Sequence, residues 1–223
     1  VFGRIRSRRP VPAVPKAAKA PTPRLWTDIT YSRNLLRHPI DSYYDLKHGH
    51  RGSVLSATIL LGLLFIVYMG DRLLNSFLFR ELAPESAPVF TYILLFVGGV
   101  ILWVIGNYMI SAINDGEGSL SNVYIMTAYA LTPYLLITPV KILLSYGLSL
   151  NEGFLIQILS ILGIAWSAVN LFVGVMEMHA YTFRETIKNI LLTLFFILIA
   201  VIVIAMMTMI WSKVAAFFEQ IWG

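Results

Sequence analysis

The sequence predicts an all-α membrane protein, a bundle of about five helices that cross a bilayer. Hydrophobic residues make up 57% and charged residues 13% of the 223 residues, and the mean hydropathy is +0.73. A soluble domain of this size lacks the polar surface to cover so many apolar side chains. The charges are confined to short clusters, and each uncharged run between them reaches the ~18 residues that a helix needs to cross ~30 Å of hydrocarbon.

The runs indicate helices because they are continuous, rich in Leu, Ile and Ala, and lack the strict alternation of a barrel strand. The predicted spans are 52–70, 86–114, 118–140, 153–176 and 189–212. A signal peptide does not explain the first run, which starts after some fifty residues and has four others behind it. In a four-span alternative, residues 118–146 form a re-entrant pair broken at Pro133 and Pro139, although proline usually only kinks a membrane helix.

Topology is predicted from the basic residues, because cationic flanks favour the cytoplasmic side. Eleven of the seventeen Lys and Arg residues precede Gly52. We therefore expect the amino terminus inside and, after five spans, the carboxyl terminus outside. The turn with Asp115 and Glu117 carries no basic residue, but acidic residues contribute little to this rule.

Four segments are expected along the chain. Residues 1–24 form a basic, proline-rich tether whose composition favours extended, disordered chain. Residues 25–52 interleave apolar and basic residues, which predicts interfacial helices in the inner headgroup region, although a solvated linker is the alternative. The five-helix domain covers 53–212 and a short outer tail covers 213–223. Because Val1 is not an initiator residue, a longer parent chain is a further hypothesis.

The residues of the basic flank that we expect to face anionic lipid are Arg33, Arg37, Lys47 and Arg51. Small and polar residues that share one helix face let membrane helices approach closely. Such residues in the fourth span are spaced three and four apart, and the second span supplies three glycines. The predicted packing residues are Ser160, Gly163, Ser167, Gly174, Gly98, Gly99 and Gly106.

Asn107, Thr127 and Asn170 are expected at a similar depth in the inner half of the membrane. An amide exposed to lipid is costly, so we predict that the three form a hydrogen-bonded polar layer. The layer is either a solute site or, as is commoner, a set of hydrogen bonds that hold helices together.

Enzyme motifs are absent from the sequence, as is cysteine, and no cofactor is expected. The weak candidates for a metal site are Asp115, Glu117, Glu177 and His179. The alternative makes them solvated turn residues, with Gly116 and Gly118 providing positive φ. Lys141 either reaches to the headgroups or neutralises an anionic solute, because no carboxylate lies deep in a span to pair with it.

Three strings resemble the Yip family, named for proteins that interact with Ypt or Rab GTPases. They are His-Pro-Ile-Asp-Ser-Tyr-Tyr-Asp-Leu-Lys from His38, typical of the prokaryotic branch, Asn-Asp-Gly-Glu-Gly-Ser from Asn114, and Thr-Ala-Tyr-Ala-Leu-Thr-Pro-Tyr from Thr127. The resemblance implies five spans and a non-enzymatic role. The Asp-Leu-Tyr-Gly-Pro string of eukaryotic members is absent, so GTPase binding is not carried over.

The expected function is that of a scaffold or accessory subunit in a bacterial or archaeal plasma membrane, as some relatives accompany solute uptake systems. Its expected partners are anionic lipid of the inner leaflet and a membrane or cytoplasmic protein, with homo-oligomers left open and nucleic acid excluded. The alternative function is a small-solute or ion transporter that uses Asn107, Thr127 and Asn170.

Overall fold

A computed structural model describes residues 31–48, 52–79 and 89–222, and every regular element within those ranges is helical. Residues 31–35 are helical, and a 3₁₀ turn, Leu150–Glu152, precedes the sixth of the longer helices. The longer helices are α1 (Pro39–His48), α2 (Val54–Leu73), α3 (Val89–Ile113), α4 (Leu120–Ala130), α5 (Thr132–Ser145), α6 (Gly153–His179) and α7 (Phe183–Trp222).

Five segments are long and apolar enough to cross a bilayer, which confirms the predicted fold class. They are Val54–Leu73, Val89–Ile113, Leu120–Ser145, Leu150–His179 and Phe183–Gln220. Serine side chains cap the amino-terminal ends of the first and third of these segments. Ser53 accepts a hydrogen bond from the backbone N–H of Ser56 at 3.1 Å, and Ser119 accepts one from Asn122 at 3.2 Å. These bonds satisfy N–H groups that have no partner within the first helical turn.

The third span is interrupted between α4 and α5, where proline removes a backbone donor. Pro133 has no N–H to bond to the carbonyl of Tyr129. The hydroxyl of Thr132 donates to that carbonyl instead, at 2.7 Å. The N–H of Tyr134 donates to Ser167 Oγ on α6, at 3.1 Å. Side chains therefore replace the backbone bonds that proline removes, as lipid surroundings require.

α4 and α5 together form one antiparallel partner of α6. As residue numbers rise along α4 and α5, the residues that they contact on α6 fall in number by the same steps. The register against α6 is therefore the same before and after Pro133. The facing pairs are Met126 with Gly174, Tyr134 with Ser167, Ile137 with Gly163, and Lys141 with Ser160. A re-entrant pair would bring α4 and α5 to the same part of α6, so the four-span alternative is wrong.

The hydrophobic core includes the helices before the first span, at the end of the bundle that we call the α1 end. Leu35, Tyr43 and Leu46 are buried there with side chains of α2, α4 and α6. Ile40 and Tyr44 of α1 are exposed. The segment predicted to lie in the headgroup region therefore packs one face on the bundle. The predicted tether, residues 1–24, lies outside the described residues.

α7 is much longer than a bilayer requires. Its 40 residues extend about 60 Å, roughly twice the hydrocarbon thickness. The described side chains from Val201 onward are all exposed. Where a short tail was predicted after residue 212, the helix continues to Trp222, because residues 213–222 contain neither glycine nor proline to end it.

Candidate functional site

A chain of hydrogen bonds links α3, α6 and α7 at the α1 end. His179 Nε2 lies 3.1 Å from Asn107 Oδ1, and Asn107 Nδ2 donates to Asn189 Oδ1 at 3.0 Å. Asn189 Nδ2 donates to the Tyr181 hydroxyl at 3.5 Å, which donates to the carbonyl of Ser111 at 3.3 Å. His179, Asn107 and Asn189 are each 1% exposed or less. We call these residues the His179 network.

The hydrogen bonds assign one tautomer to His179. The backbone N–H of Gly118 donates to Nδ1 at 3.2 Å, so this nitrogen carries no proton. Nε2 then carries the hydrogen and donates it to Asn107. Burial raises the pKa of the Tyr181 hydroxyl, which favours its role as a donor. The network therefore joins three helices and the turn before α4 through hydrogen bonds in which the donor and the acceptor are both assigned.

The turn between α3 and α4 passes directly over this network. The positive φ expected at Gly116 and Gly118 is not observed, and Asp115 adopts φ 55° instead. A Cβ atom on Gly116 would lie 2.6 Å from the Tyr181 hydroxyl, and one on Gly118 would lie 2.6 Å from Cε1 of His179. Glycine is needed here because the rings approach the backbone closely.

The predicted layer of Asn107, Thr127 and Asn170 does not form as a single network. All three side chains are buried. The Thr127 hydroxyl donates to the carbonyl of Val123 in its own helix, at 2.7 Å. Asn170 Nδ2 is buried and has no hydrogen-bond partner among the described residues. Counting residues along a helix estimates depth but not the face on which a side chain lies, and Asn107 faces α7.

The four weak metal candidates do not converge. Within the described ranges, no group of three or more His, Asp or Glu residues could hold a metal ion. Both ring nitrogens of His179 are engaged in the network, and Glu117 is paired with a lysine. Asp115 is exposed, and Glu177 is half-buried near the end of α6.

The residues of the predicted basic flank have different surroundings, because Lys47 forms an ion pair with Glu117. Lys47 Nζ lies 2.6 Å from Glu117 Oε2, with 11% of the lysine side chain exposed, so this residue binds the turn and does not face lipid. Lys47 holds the pKa of Glu117 below its usual value, by hydrogen bonding and by its charge. Arg33 and Arg37 are exposed. Arg51 lies outside the described residues.

The predicted packing residues behave differently in the two spans. Gly163, Ser167 and Gly174 of α6 are buried against α4 and α5, and Ser160 is half-buried. Gly106 of α3 lies against Phe196, whose ring would be 2.9 Å from an added Cβ. Gly98 and Gly99 do not pack against any described helix of this chain, because no described atom would lie within 4 Å of a Cβ on either.

At the opposite end of the bundle, Lys141 is 6% exposed and pairs with Asp71 of α2. Its ammonium also donates to Ser160 Oγ at 3.2 Å. Asn75 Nδ2 donates to Asp71 Oδ1 at 3.2 Å, and the Tyr134 hydroxyl donates to Oδ2 at 3.3 Å. The expectation that Lys141 lacks a carboxylate partner is wrong. Its partner was missed because the predicted first span stopped at the residue before Asp71.

A cavity of about 710 Å³ lies beside this ion pair, between α2, α3, α5 and α6. Arg72, Tyr92 and Gln157 contribute to its wall, together with the paired Asp71 and Lys141. Asn107, Thr127 and Asn170 do not line it. The cavity is therefore separate from the three residues of the predicted polar layer.

Sequence reasoning also missed the contribution of α7 to the His179 network. Thr186, Asn189 and Thr193 are all buried and are spaced three and four residues apart. That spacing places them on one face of a helix, which is a signal available in the sequence. Such a polar stripe in an apolar helix predicts a hydrogen-bonded contact with a neighbouring helix.

Comparison with known proteins gives one match. A family model described as the Yip1 domain matches residues 33–207. No curated protein matches the chain, and no solved structure matches it. The matched segment covers α1 to α6 and more than half of α7.

Proposed function

This chain belongs to the Yip1 domain family, and from that premise we propose that it is a scaffold or accessory subunit of a membrane assembly. The Yip1 domain family is not a known enzyme family, and the proposed role is non-enzymatic. The chain is a multi-pass membrane protein of the Yip type. The proposal places it in a bacterial or archaeal plasma membrane, with the α1 end toward the cytoplasm.

The observation that carries the proposal is that the buried polar groups of the His179 network already form hydrogen bonds with one another. A solute site needs polar groups that face a cavity and have hydrogen-bonding capacity left for the ligand. Asn107 is fully buried and bonds to both His179 and Asn189. Polar groups used up in this way support rigid packing between helices better than transport through them.

The exposed face of α1 supports contact with other molecules at the same end. Ile40 is 53% exposed and Tyr44 57% exposed, and the Arg33 and Arg37 side chains are exposed nearby. Apolar and cationic side chains beside a membrane span suit either anionic lipid or an acidic surface of a partner protein.

Photo-crosslinking in native membranes tests the proposal. A photoreactive phenylalanine analogue is placed at Tyr44, and the matched control places it at the neighbouring Tyr43, which is fully buried. We expect position 44 to give a reproducible crosslinked protein of defined mass and position 43 to give none. Identification of that product by mass spectrometry then names the partner.

A transport assay provides the contrary outcome. The purified chain is reconstituted in liposomes, and solute and ion fluxes are compared for the wild type and Asn107→Leu. Protein-dependent flux that this variant abolishes, with no protein crosslinked from position 44, would contradict the scaffold role and support the transporter alternative.

A further inference from the structure

The cavity beside Asp71 and Lys141 has the size of a ligand pocket, at about 710 Å³, and its wall contains polar groups without hydrogen-bond partners. We propose that it binds a neutral sugar, either free or as the headgroup of a glycolipid. Three features of the wall support this ligand, namely the pairing of its charged groups, its unpaired polar groups and its aromatic surface. The proposal is independent of the scaffold role.

The charged side chains of the wall are already engaged within the protein. Lys141 Nζ pairs with Asp71 and donates to Ser160 Oγ at 3.2 Å. Both oxygens of Asp71 accept further hydrogen bonds. The Arg72 guanidinium lies 5.7 Å from the centroid of the Tyr68 ring and interacts elsewhere as well. A neutral ligand leaves all of these contacts intact, and its binding does not depend on the net charge around the cavity.

The groups that remain for a ligand are neutral. Asn75 is 9% exposed, and its amide oxygen is buried without a hydrogen-bond partner. The Tyr92 hydroxyl and the Gln157 amide line the same cavity and form no hydrogen bond with a described residue. The asparagine oxygen needs a donor, whereas the other two groups donate and accept. Hydroxyl groups both donate and accept, so a ligand with several hydroxyls fits all three.

The rest of the wall is aromatic and apolar. The rings of Phe79, Tyr92 and Tyr134 line the cavity, as do Ile161 and Ile164 of α6. A sugar ring has hydroxyls at its edge and C–H groups on its faces, and those faces suit packing against aromatic rings. Ile161 is 66% exposed and Ile164 is 60% exposed, so this part of the wall also leaves space for the chain of a glycolipid.

The unpaired groups lie near one surface of the bilayer, at the end of the bundle opposite the α1 end. Tyr92 is about 5 Å from the first residue of α3 and Gln157 about 6 Å from the first residue of α6. Asn75 follows the last residue of α2 by two positions. Helices of 25 and 27 residues exceed the ~30 Å of hydrocarbon by a few ångströms at each end. A sugar therefore reaches these groups from the headgroup region.

Native mass spectrometry of the full chain tests the proposal, in a polyoxyethylene detergent, which carries no sugar. The probes are dioctanoylglycerol with one glucose or one galactose attached and the two corresponding methyl glycosides. The test variant combines Tyr92→Phe with Gln157→Leu, which removes two unpaired groups and nearly preserves side-chain size. The matched control is Tyr108→Phe, because Tyr108 is also on α3, is exposed and does not line the cavity.

We expect the double variant to bind the sugar probe about tenfold more weakly than the wild type, since each hydrogen bond contributes roughly threefold to tenfold in affinity. Tyr108→Phe should bind the probe as the wild type does. Equal binding by the wild type and the double variant, or an equal loss in Tyr108→Phe, would overturn the proposal.

Comparison of the probes on the wild type identifies the source of the sugar. Tighter binding of a glycolipid than of its methyl glycoside would support a lipid headgroup. Equal or tighter binding of the glycoside would support a free sugar. Dioctanoylglycerol carries the chains without the sugar, and we expect it to bind at least tenfold more weakly than the better sugar probe. Equal binding of dioctanoylglycerol, or no binding of any sugar probe, would overturn the assignment.

Discussion

The backbone N–H of Gly118 donates a hydrogen bond to His179 Nδ1 at 3.2 Å, in a contact that leaves no space for a side chain on the glycine. This bond ties the turn between the second and third spans to the end of the fourth. It also determines which nitrogen of His179 carries a proton, and so the direction of every later bond in the network. One close approach thus orients residues on three helices.

Substitution of Gly118 by alanine should lower stability. The new Cβ would lie 2.6 Å from His179 Cε1, and overpacking of a buried site typically costs about 1–3 kcal/mol. Gly98→Ala is the control, because no described atom would lie within 4 Å of its Cβ. Thermal unfolding in detergent should show a lower Tm for the first variant and an unchanged or slightly higher one for the second. Equal Tm values for Gly118→Ala and the wild type would show that the close approach of Gly118 to His179 does not limit the size of the residue at position 118.

The two buried asparagines should respond differently to leucine. Asn107→Leu leaves His179 Nε2 and Asn189 Oδ1 without their partner, and each buried group left unsatisfied costs about 1–3 kcal/mol. Asn170→Leu removes an amide nitrogen that has no partner among the described residues, so its cost should be near zero. Denaturation monitored by tryptophan fluorescence compares the two. A larger loss at residue 170 would contradict the assigned bonds.

Neutralising one member of the Asp71 and Lys141 pair should cost more than neutralising both. Lys141→Met leaves a carboxylate without its cation, and breaking a buried pair in this way costs about 3–5 kcal/mol. The double variant with Asp71→Asn should recover most of that loss. Lys213→Met, at an exposed position on α7, serves as the control for loss of a positive charge. Additive effects of the two single changes, measured by thermal unfolding, would show that the residues are not coupled.

The pair of Lys47 and Glu117 should stabilise the fold in a pH-dependent way. Because the folded-state pKa of Glu117 lies below its usual value, the contribution is complete above the usual pKa and is lost as the pH falls through the folded value. The difference in Tm between wild type and Glu117→Gln should therefore shrink between pH 7 and roughly pH 3. Lys47→Met should show the same trend. A difference that stays constant over this range would exclude the pair as its cause.

Ala180 ends α6 in the left-handed conformation, with φ 55°. This conformation costs an alanine roughly 1–2 kcal/mol that a glycine does not lose. Ala180→Gly should therefore raise stability by about 1 kcal/mol. Ala165→Gly, at an exposed position inside the same helix, should lower it by about 0.5–1 kcal/mol. Chemical denaturation in one detergent gives both values, and a loss at both positions would contradict the argument.

Helix length and the count of spans could be predicted because they depend on the chain's own composition. Each uncharged run is long enough for the bilayer, and five spans are found. The same criterion failed at the ends of the spans. Asp71 and Lys141 were treated as limits of the hydrophobic runs, yet both lie within helices and neutralise each other. The distribution of charges along one helix does not show which charged residue of another helix will pair with it.

The candidate sites could be predicted less well, for a geometric reason. Asn107 and Asn170 were correctly expected to be buried, but their partners depend on which helix each faces. The register of α4 and α5 against α6 is set by contacts such as Met126 with Gly174. Asn189 was overlooked although its polar stripe on α7 is visible in the sequence.

The amino-acid sequence alone determined that this protein lies in a membrane and crosses it as five helices, since that outcome follows from apolar length and from the need of each backbone to bond within its own helix. Only the tertiary structure decided that His179 contacts Gly118, that Lys141 contacts Asp71, and that a charged cavity lies beside the second pair. Those contacts join residues on different helices, and the rotation and register of each helix come from packing against its neighbours, which a period of 3.6 residues does not specify.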